Sequence, residues 1–171
     1  MTREYANHVR IIGIDPGTGI LGFGVIEVSA TQPKLVDGGV IRTPAHEDDA
    51  VRLQLIYEEL TGIISSTRPD QMAIEKLFFA QNVTTAMTVA QARGVVLLVG
   101  QEAGLTIFEY TPLQIKQALT GYGRAEKKQI QEMVRVILKL RDIPKPDDCA
   151  DALAAAITHL MTTKNAIQST H

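Results

Sequence analysis

Four acids in this sequence stand where isolated charge is unfavourable. Asp15 follows the largely apolar run Val9-Arg10-Ile11-Ile12-Gly13-Ile14 and precedes Pro16-Gly17. Glu75 ends a second apolar run, Met72-Ala73-Ile74. Asp148 and Asp151 lie three residues apart in Asp147-Asp148-Cys149-Ala150-Asp151-Ala152-Leu153-Ala154, so on a helix they share a face near its positive end. Carboxylates gathered at strand ends and a helix start repel one another unless a cation neutralises them. Four hard oxygen donors suit Mg²⁺ or Mn²⁺. Two such ions roughly 4 Å apart activate a water and stabilise the leaving oxygen of an in-line phosphodiester displacement.

Each acid also has a plainer reading. Asp15 before Pro-Gly is a good turn residue, and Asp147 or Asp148 after Pro146 is a good helix N-cap. Glu75 can be a rim charge. Taken together, with apolar runs feeding two of them, the acids favour the metal site.

The 171 residues carry a net charge of −2, unevenly spread. Between Gln114 and Lys145, eight basic residues (Lys116, Arg124, Lys127, Lys128, Arg135, Lys139, Arg141, Lys145) meet three acids (Glu126, Glu132, Asp142), leaving +5 there and −7 elsewhere. A basic lobe beside an acidic pocket fits an enzyme that grips and cuts a polyanion; a solvated helical face would look the same. With 45% apolar and 21% charged residues, the composition is that of a soluble globular protein. The length fits one domain over 1–171, with 1–9 and 165–171 as peripheral ends. The first ten residues lack the apolar segment of a secretory signal. Uninterrupted apolar stretches such as Val95–Val99 fall far short of the roughly 20 residues that span a bilayer. The lone Cys149 suits a reducing compartment. The expectation is a cytoplasmic protein with no membrane partner.

The elements that must position the acids follow from the pattern. Val9–Ile14, Leu21–Val28 and Leu35–Ile41 predict three strands with short connections, hence an antiparallel meander. Gly38-Gly39 within the third marks a bulge or a close backbone contact. Apolar residues at 51, 53, 55, 56, 60, 63 and 64 predict a helix over 51–64, and Gln71–Ile74 a short buried strand. Asn82 is an N-cap for a long helix to about Ala103, with Gly104 as its stop. Leu105–Tyr110 is a fifth strand. Helices over about Pro112–Thr120, Ala125–Leu140 and Asp148–Thr163 complete the chain, the first two separated by a Gly121-Tyr122-Gly123 loop. The order implies an α/β fold, a five-stranded mixed sheet with helices on both faces. Ribonuclease H-like nucleases use that order, as do actin-like ATPases in duplicated form. Asp15-Pro16-Gly17-Thr18-Gly19 resembles the phosphate turn of the ATPases, but 171 residues leave no room for the two subdomains that enclose a nucleotide.

Three segments carry a closer likeness. Ile12-Gly13-Ile14-Asp15-Pro16-Gly17, Ala73-Ile74-Glu75-Lys76-Leu77-Phe78 and Asp148-Cys149-Ala150-Asp151-Ala152-Leu153-Ala154 resemble, in order and at matching separations, three motifs of the RuvC family of crossover junction endodeoxyribonucleases. Ala90-Gln91-Ala92-Arg93-Gly94 and Glu126-Lys127 also fit, and the likeness covers about Arg10 to Leu160. The resemblance implies a ribonuclease H-like homodimer that nicks opposing strands of a four-way (Holliday) junction symmetrically, in recombination and repair. It implies two metal ions per active site, Mg²⁺ or Mn²⁺, held by Asp15, Glu75, Asp148 and Asp151. Lys116 and Lys127 match basic residues on the phosphate backbone near the cut, and Phe78 an aromatic that stacks on an unpaired base. The Asp-x-x-Asp-Ala-Leu register selects Asp148 over Asp147, although Asp147 also shares a face with Asp151. Association with a branch-migration helicase is implied likewise.

Physical readings stand beside these. An exposed Phe78 ring offers a sequence-tolerant stacking surface, whereas Phe78 or Phe79 could equally serve the core. Arg124 and Lys128 join Lys116 and Lys127 as phosphate contacts, and a charge at Lys127 beside the scissile phosphate would be catalytic, stabilising the transition state. Arg93 would meet a phosphate or pair with an acid. Ala86, Ala90, Ala92 and Gly94 allow a partner helix to approach closely, or they merely cover the sheet. His159, two turns beyond Asp151, is expected to be a satisfied histidine and no ligand. Two other functions stay open. A ribonuclease H-like nuclease for RNA or structured single strands would be told apart by the 2′-hydroxyl. A non-catalytic junction-binding protein is the other, and four phosphate-repelling acids argue against it.

Overall fold

Side-chain alternation along the first strand divides the molecule into two layers. The computed structural model describes residues 8–29, 32–76 and 83–168, the last four of these by backbone alone. Strands β1 (Val9–Asp15), β2 (Ile20–Val28) and β3 (Pro33–Arg42) form an antiparallel meander. Helix α1 (Asp49–Thr67) leads to β4 (Gln71–Glu75), and α2 (Val83–Glu102) to β5 (Thr106–Tyr110). Then come α3 (Pro112–Thr120), α4 (Lys127–Ile137) and α5 (Asp147–Gln168). The sheet order is β3-β2-β1-β4-β5, with β4 parallel to both β1 and β5. This is the mixed five-stranded sheet that the sequence implies.

Successive β1 side chains point to opposite faces. Ile12 and Ile14 enter the core beneath α1 and α2 with Leu21, Met72, Ile74, Leu60 and Val96. Ile11 faces the other layer with Ile26, Ala73, Leu153 and Ile157. By the same alternation Gly13 and Asp15 share the second side, and so does Glu75, two residues beyond Ala73.

A row of small residues lets α5 come close. Gly38, Gly24, Gly13 and Ala73 lie opposite one another on neighbouring strands. A Cβ on Gly13 would stand 1.9 Å from the Ala152 carbonyl oxygen, and one on Gly22 would stand 2.0 Å from that of Asp148. The helix backbone thus rests on the sheet itself, a separation that any side chain at these positions would forbid. Leu153 covers Gly24, and the Cys149 sulfur sits over Gly38.

Several boundaries differ from the sequence reading. β1 runs on to Asp15, which pairs opposite Gly22, so the acid is the last ladder residue and not a turn residue. The bulge in β3 falls at Val36, between the pairs Val25–Asp37 and Ile26–Leu35. Gly38 and Gly39 instead make close contacts, with Cys149 and the Phe23 ring. α4 is shorter than 125–140: Glu126 and Gln129 form a capping box at its start, and Lys139 turns left-handed (φ 52°) after its end. α5 begins one residue early and extends to Gln168, since neither Gly nor Pro follows Thr163 to stop it. The expected cap Asn82 lies outside the described residues.

Helix α2 reaches membrane length although no uninterrupted apolar stretch in it does. Its polar residues are scattered, so an 18-residue window still has mean hydropathy 1.4, and the helix is long and apolar enough to cross a membrane. Here Ala92, Val96 and Val99 lie in the core while Val83, Met87 and Leu98 are exposed.

The contact of α5 with the sheet predicts opposite effects for two glycines. Gly13→Ala should destabilise the protein by at least about 2 kcal/mol by overpacking the α5 interface. Gly62→Ala, on α1 with nothing within 4 Å of the new methyl, should stabilise it by about 0.5–1 kcal/mol. Urea unfolding of both variants checks this; equal effects would mean that α5 can lift without penalty.

Candidate active site

Asp15 ends β1, Glu75 ends the adjacent parallel β4, and Asp148 and Asp151 occupy the first turns of α5. Gly22, the ladder partner of Asp15, touches the Asp148 backbone, which sets the height of α5 above the strand ends. Local sequence thus brings two acids to one sheet edge, and the glycine contact brings the helix acids to meet them.

The acids act on one another. Burial pushes the Asp15 carboxyl up to about 8, and Asp151, Glu75 and Asp148 add to the rise while Lys127 opposes it. Burial likewise raises Glu75, with Asp151 adding and Lys127 and Lys116 opposing. Asp151 is raised by burial and by Asp148 and Asp147, against the pull of Lys127. The Lys127 ammonium lies 3.2 Å from Asp151 Oδ2 and 3.5 Å from Asp147 Oδ2. Burial works against its charge, yet Asp151 and Asp147 hold its pKa above the ordinary lysine value. Asp147 therefore faces Lys127, while Asp148 is the member of the doublet whose charge reaches Asp15.

Among the described residues, no three acidic, histidine or cysteine side chains already converge on one point at coordination distance. Lys127 supplies the neutralising charge on the Asp151 side. The donor set nevertheless fits a hard divalent cation: it offers oxygen alone, at the mouth of a sheet. Asp15, Glu75 and Asp151 are each raised in part by a neighbouring acid, and a cation there would reverse that effect.

Two clefts meet at Glu75 and Pro112. One is lined by Lys116, Lys127, Ile115, Ile130, Asp151 and Ala154, the other by Asp15, Pro16, Lys76, Val89 and Arg93. Lys116 is carried by α3, whose start is fixed by a Thr111–Gln114 capping box with Pro112 in the first turn. Lys127 is the first residue of α4. The two lysines thus join the acids. Arg124 and Lys128 do not: they line a separate, wider cleft with Tyr122, Glu126, Gln129 and Glu132. Phe78 lies outside the described residues.

His159 is a core residue. Its Nε2 donates to Gln71 Oε1 at 2.9 Å, and Nδ1 accepts from the Tyr110 hydroxyl at 2.6 Å. The ring stacks on Phe108, and burial lowers its pKa. These contacts tie α5 to β4 and β5, the strands beside the acids. Sequence reasoning passed over Glu109, the ion-pair partner of Arg93; an acid placed inside the short strand Thr106–Tyr110 was the available signal. It also missed the spacing role of Gly13 and Gly22, which only strand register reveals.

Comparison with known proteins gives a consistent result. Residues 11–159 match the family model described as crossover junction endodeoxyribonuclease RuvC. A relative of that name from Heliobacterium modesticaldum is 58% identical over 147 residues, covering 86% of this chain and 91% of its own. Another, from Brevibacillus brevis, is 54% identical over 88% of this chain and 91% of its own. The solved structure of Thermus thermophilus RuvC in complex with Holliday junction substrate superposes with a TM-score of 0.88 at 38% identity, covering 92% of this chain and 96% of that one.

The raised Asp15 pKa has a consequence for stability. Between about 3.8, the ordinary value, and about 8, the folded state holds a proton on Asp15 that the unfolded chain releases. Folding takes up that proton, so the contribution of Asp15 to stability falls as pH rises through the window. Without divalent ions, Asp15→Asn should therefore raise the melting temperature by a few degrees at pH 8 and change it little at pH 4. Thermal melts in chelator check this; a variant less stable at both pH values would make Asp15 a structural residue.

Proposed function

The chain belongs to the RuvC family of crossover junction endodeoxyribonucleases, and on that premise we propose that it resolves four-way (Holliday) DNA junctions by paired, symmetric nicks in recombination and repair. The observation that carries the reading is the meeting of Asp15, Glu75, Asp148 and Asp151 at one sheet edge, beside a cleft bearing Lys116 and Lys127. A family relative at 38% identity and with the same fold has been captured on a Holliday junction.

The four carboxylates would hold two divalent ions, Mg²⁺ or Mn²⁺, which when bound supply an activated water and charge neutralisation at the leaving oxygen. Lys116 grips the phosphate backbone from α3. Lys127 stands within the acid cluster, where its charge offsets the negative charge that grows on an attacked phosphate. Asp147 holds that ammonium from the far side. In this reading Phe78 stacks on an unpaired base, and Arg124 and Lys128, away from the acids, contact backbone farther along the junction arms.

Two symmetric cuts call for two active sites, and α2 offers a surface for pairing. Val83, Met87, Ala90, Gly94 and Leu98 are all exposed and recur at spacings of four, three, four and four, which is one helix face. Small Ala90 and Gly94 at its centre allow close approach of a second copy, and the resulting two-fold axis would match that of the junction. The setting proposed is the cytoplasm, where a lone thiol raised to about 11 by burial is inert. Association with a branch-migration helicase belongs to the same proposal.

Two experiments test this function. On a synthetic four-way junction with Mg²⁺, the protein should make paired symmetric nicks. Asp15→Asn should reduce cleavage to background while junction affinity changes less than about threefold, because a metal ligand and not a phosphate contact is lost. Tight binding with no cleavage in any divalent metal would mark a non-catalytic junction binder instead. Met87→Glu, which places charge at the exposed α2 face, should yield a monomer by sedimentation and abolish paired nicking; an unchanged dimer would remove α2 from the interface.

A further inference from the structure

Arg93 enters the acid site from α2, on the side away from Lys116 and Lys127. It lines the cleft that holds Asp15, Pro16 and Glu75. Its side chain is only 19% exposed and is paired through Nη2 with Glu109 of β5. That contact uses one nitrogen of a fork shaped for two oxygens. Nε is buried and has no hydrogen-bond partner among the described residues, a situation that costs about 1–3 kcal/mol when a buried donor is left unpaired. Glu109 is about one-third exposed, and withdrawing the guanidinium from water offsets much of the attraction in such a pair. The fold gains little from the pair itself. Lys127 opposes the rise of both Asp15 and Glu75, and Lys116 that of Glu75, whereas the ion-pair partner of Arg93 is Glu109.

We propose that Arg93 binds the phosphate backbone of the cleaved strand on the Asp15 side of the acid cluster, opposite Lys116 and Lys127, and that Glu109 holds the guanidinium in position when no DNA is bound. The inference rests on the nuclease reading above. A strand lying across four acids is repelled at its centre, so cations on both flanks are what keep it there. Lys116 and Lys127 supply one flank and Arg93 the other. The planar guanidinium matches two non-bridging phosphate oxygens, to which it can turn by exchanging one anion for another. No proton or covalent bond changes hands.

The test separates the two halves of the ion pair. Binding of a synthetic four-way junction is measured over a salt series, in chelator so that no strand is cut, for the wild type, Arg93→Gln and Glu109→Gln. Each substitution breaks the pair, but only the first removes the cation. Arg93→Gln should weaken binding about three- to tenfold and lower the slope of log affinity against log salt by about 0.9, the loss of one phosphate contact. Glu109→Gln should keep the wild-type slope, and so should Arg93→Lys. If Arg93→Gln proves poorly folded by melting, Arg93→Met keeps the packed stem and reads the same slope. An unchanged slope in the charge-removing variant, or equal losses in Arg93→Gln and Glu109→Gln, overturns the proposal. Failure of the wild type to bind the junction in chelator, or to cut it once Mg²⁺ is restored, would instead overturn the nuclease reading.

Discussion

The site depends on one contact, that of the α5 backbone against the glycines of β1 and β2. With a side chain at Gly13 or Gly22, the Ala152 and Asp148 carbonyl oxygens would collide with it, and the helix would have to stand off the sheet. Asp148 and Asp151 would lift with it, away from Asp15 and Glu75. The glycines serve here as absent volume beneath a helix and not as flexible turns. The core agrees with this placement. Leu153, Ala154, Ala155, Ala156 and Ile157 bury against Ile11, Ile26 and Ala73, so the apolar burial that stabilises the fold also presses the helix acids toward the strand ends.

That pressure brings together charges that repel. Asp15 is the most strained member, held near a pKa of about 8 by burial and three acid neighbours. Lys127 is the local counterweight, bridging Asp151 and Asp147. Lys127, with Lys116 on the Glu75 side, cannot neutralise four carboxylates, and the chemistry of four hard oxygens points to divalent cations. The fold therefore spends hydrophobic stabilisation to keep an acidic cluster that it could not keep on electrostatic grounds. This is the usual trade between a functional site and stability.

Much of this was legible in the sequence, and the limits have physical causes. The four acids, the five strands and the bounds of α3 could be read because Asp15 and Glu75 end apolar runs, and Thr111-Pro112 with Gly121 brackets a helix. Strand register could not be read, so the line from Gly38 through Gly24 and Gly13 to Ala73 was invisible, and Gly38-Gly39 alone suggested a bulge or a close backbone contact. The bulge at Val36 escaped notice because neighbouring Gly38-Gly39 carried the stronger local signal. Charge counting grouped Arg124 and Lys128 with Lys116 and Lys127. Only tertiary packing separates them, because adjacent residues 127 and 128 of a helix face different ways. Arg93 left two readings open, a phosphate contact or an ion pair; the Glu109 contact supplies the pair and the cleft keeps the phosphate in view.

The central claim is that burial and mutual repulsion prepare these carboxylates for divalent cations. Calorimetric titration of Mn²⁺ into the metal-free protein at pH 7, repeated in buffers of different ionisation enthalpy, tests it most directly. With Asp15 near 8, saturable binding should release about one proton per site, and Asp15→Asn should remove that release. Binding without proton release, or no saturable binding at all, would contradict the account.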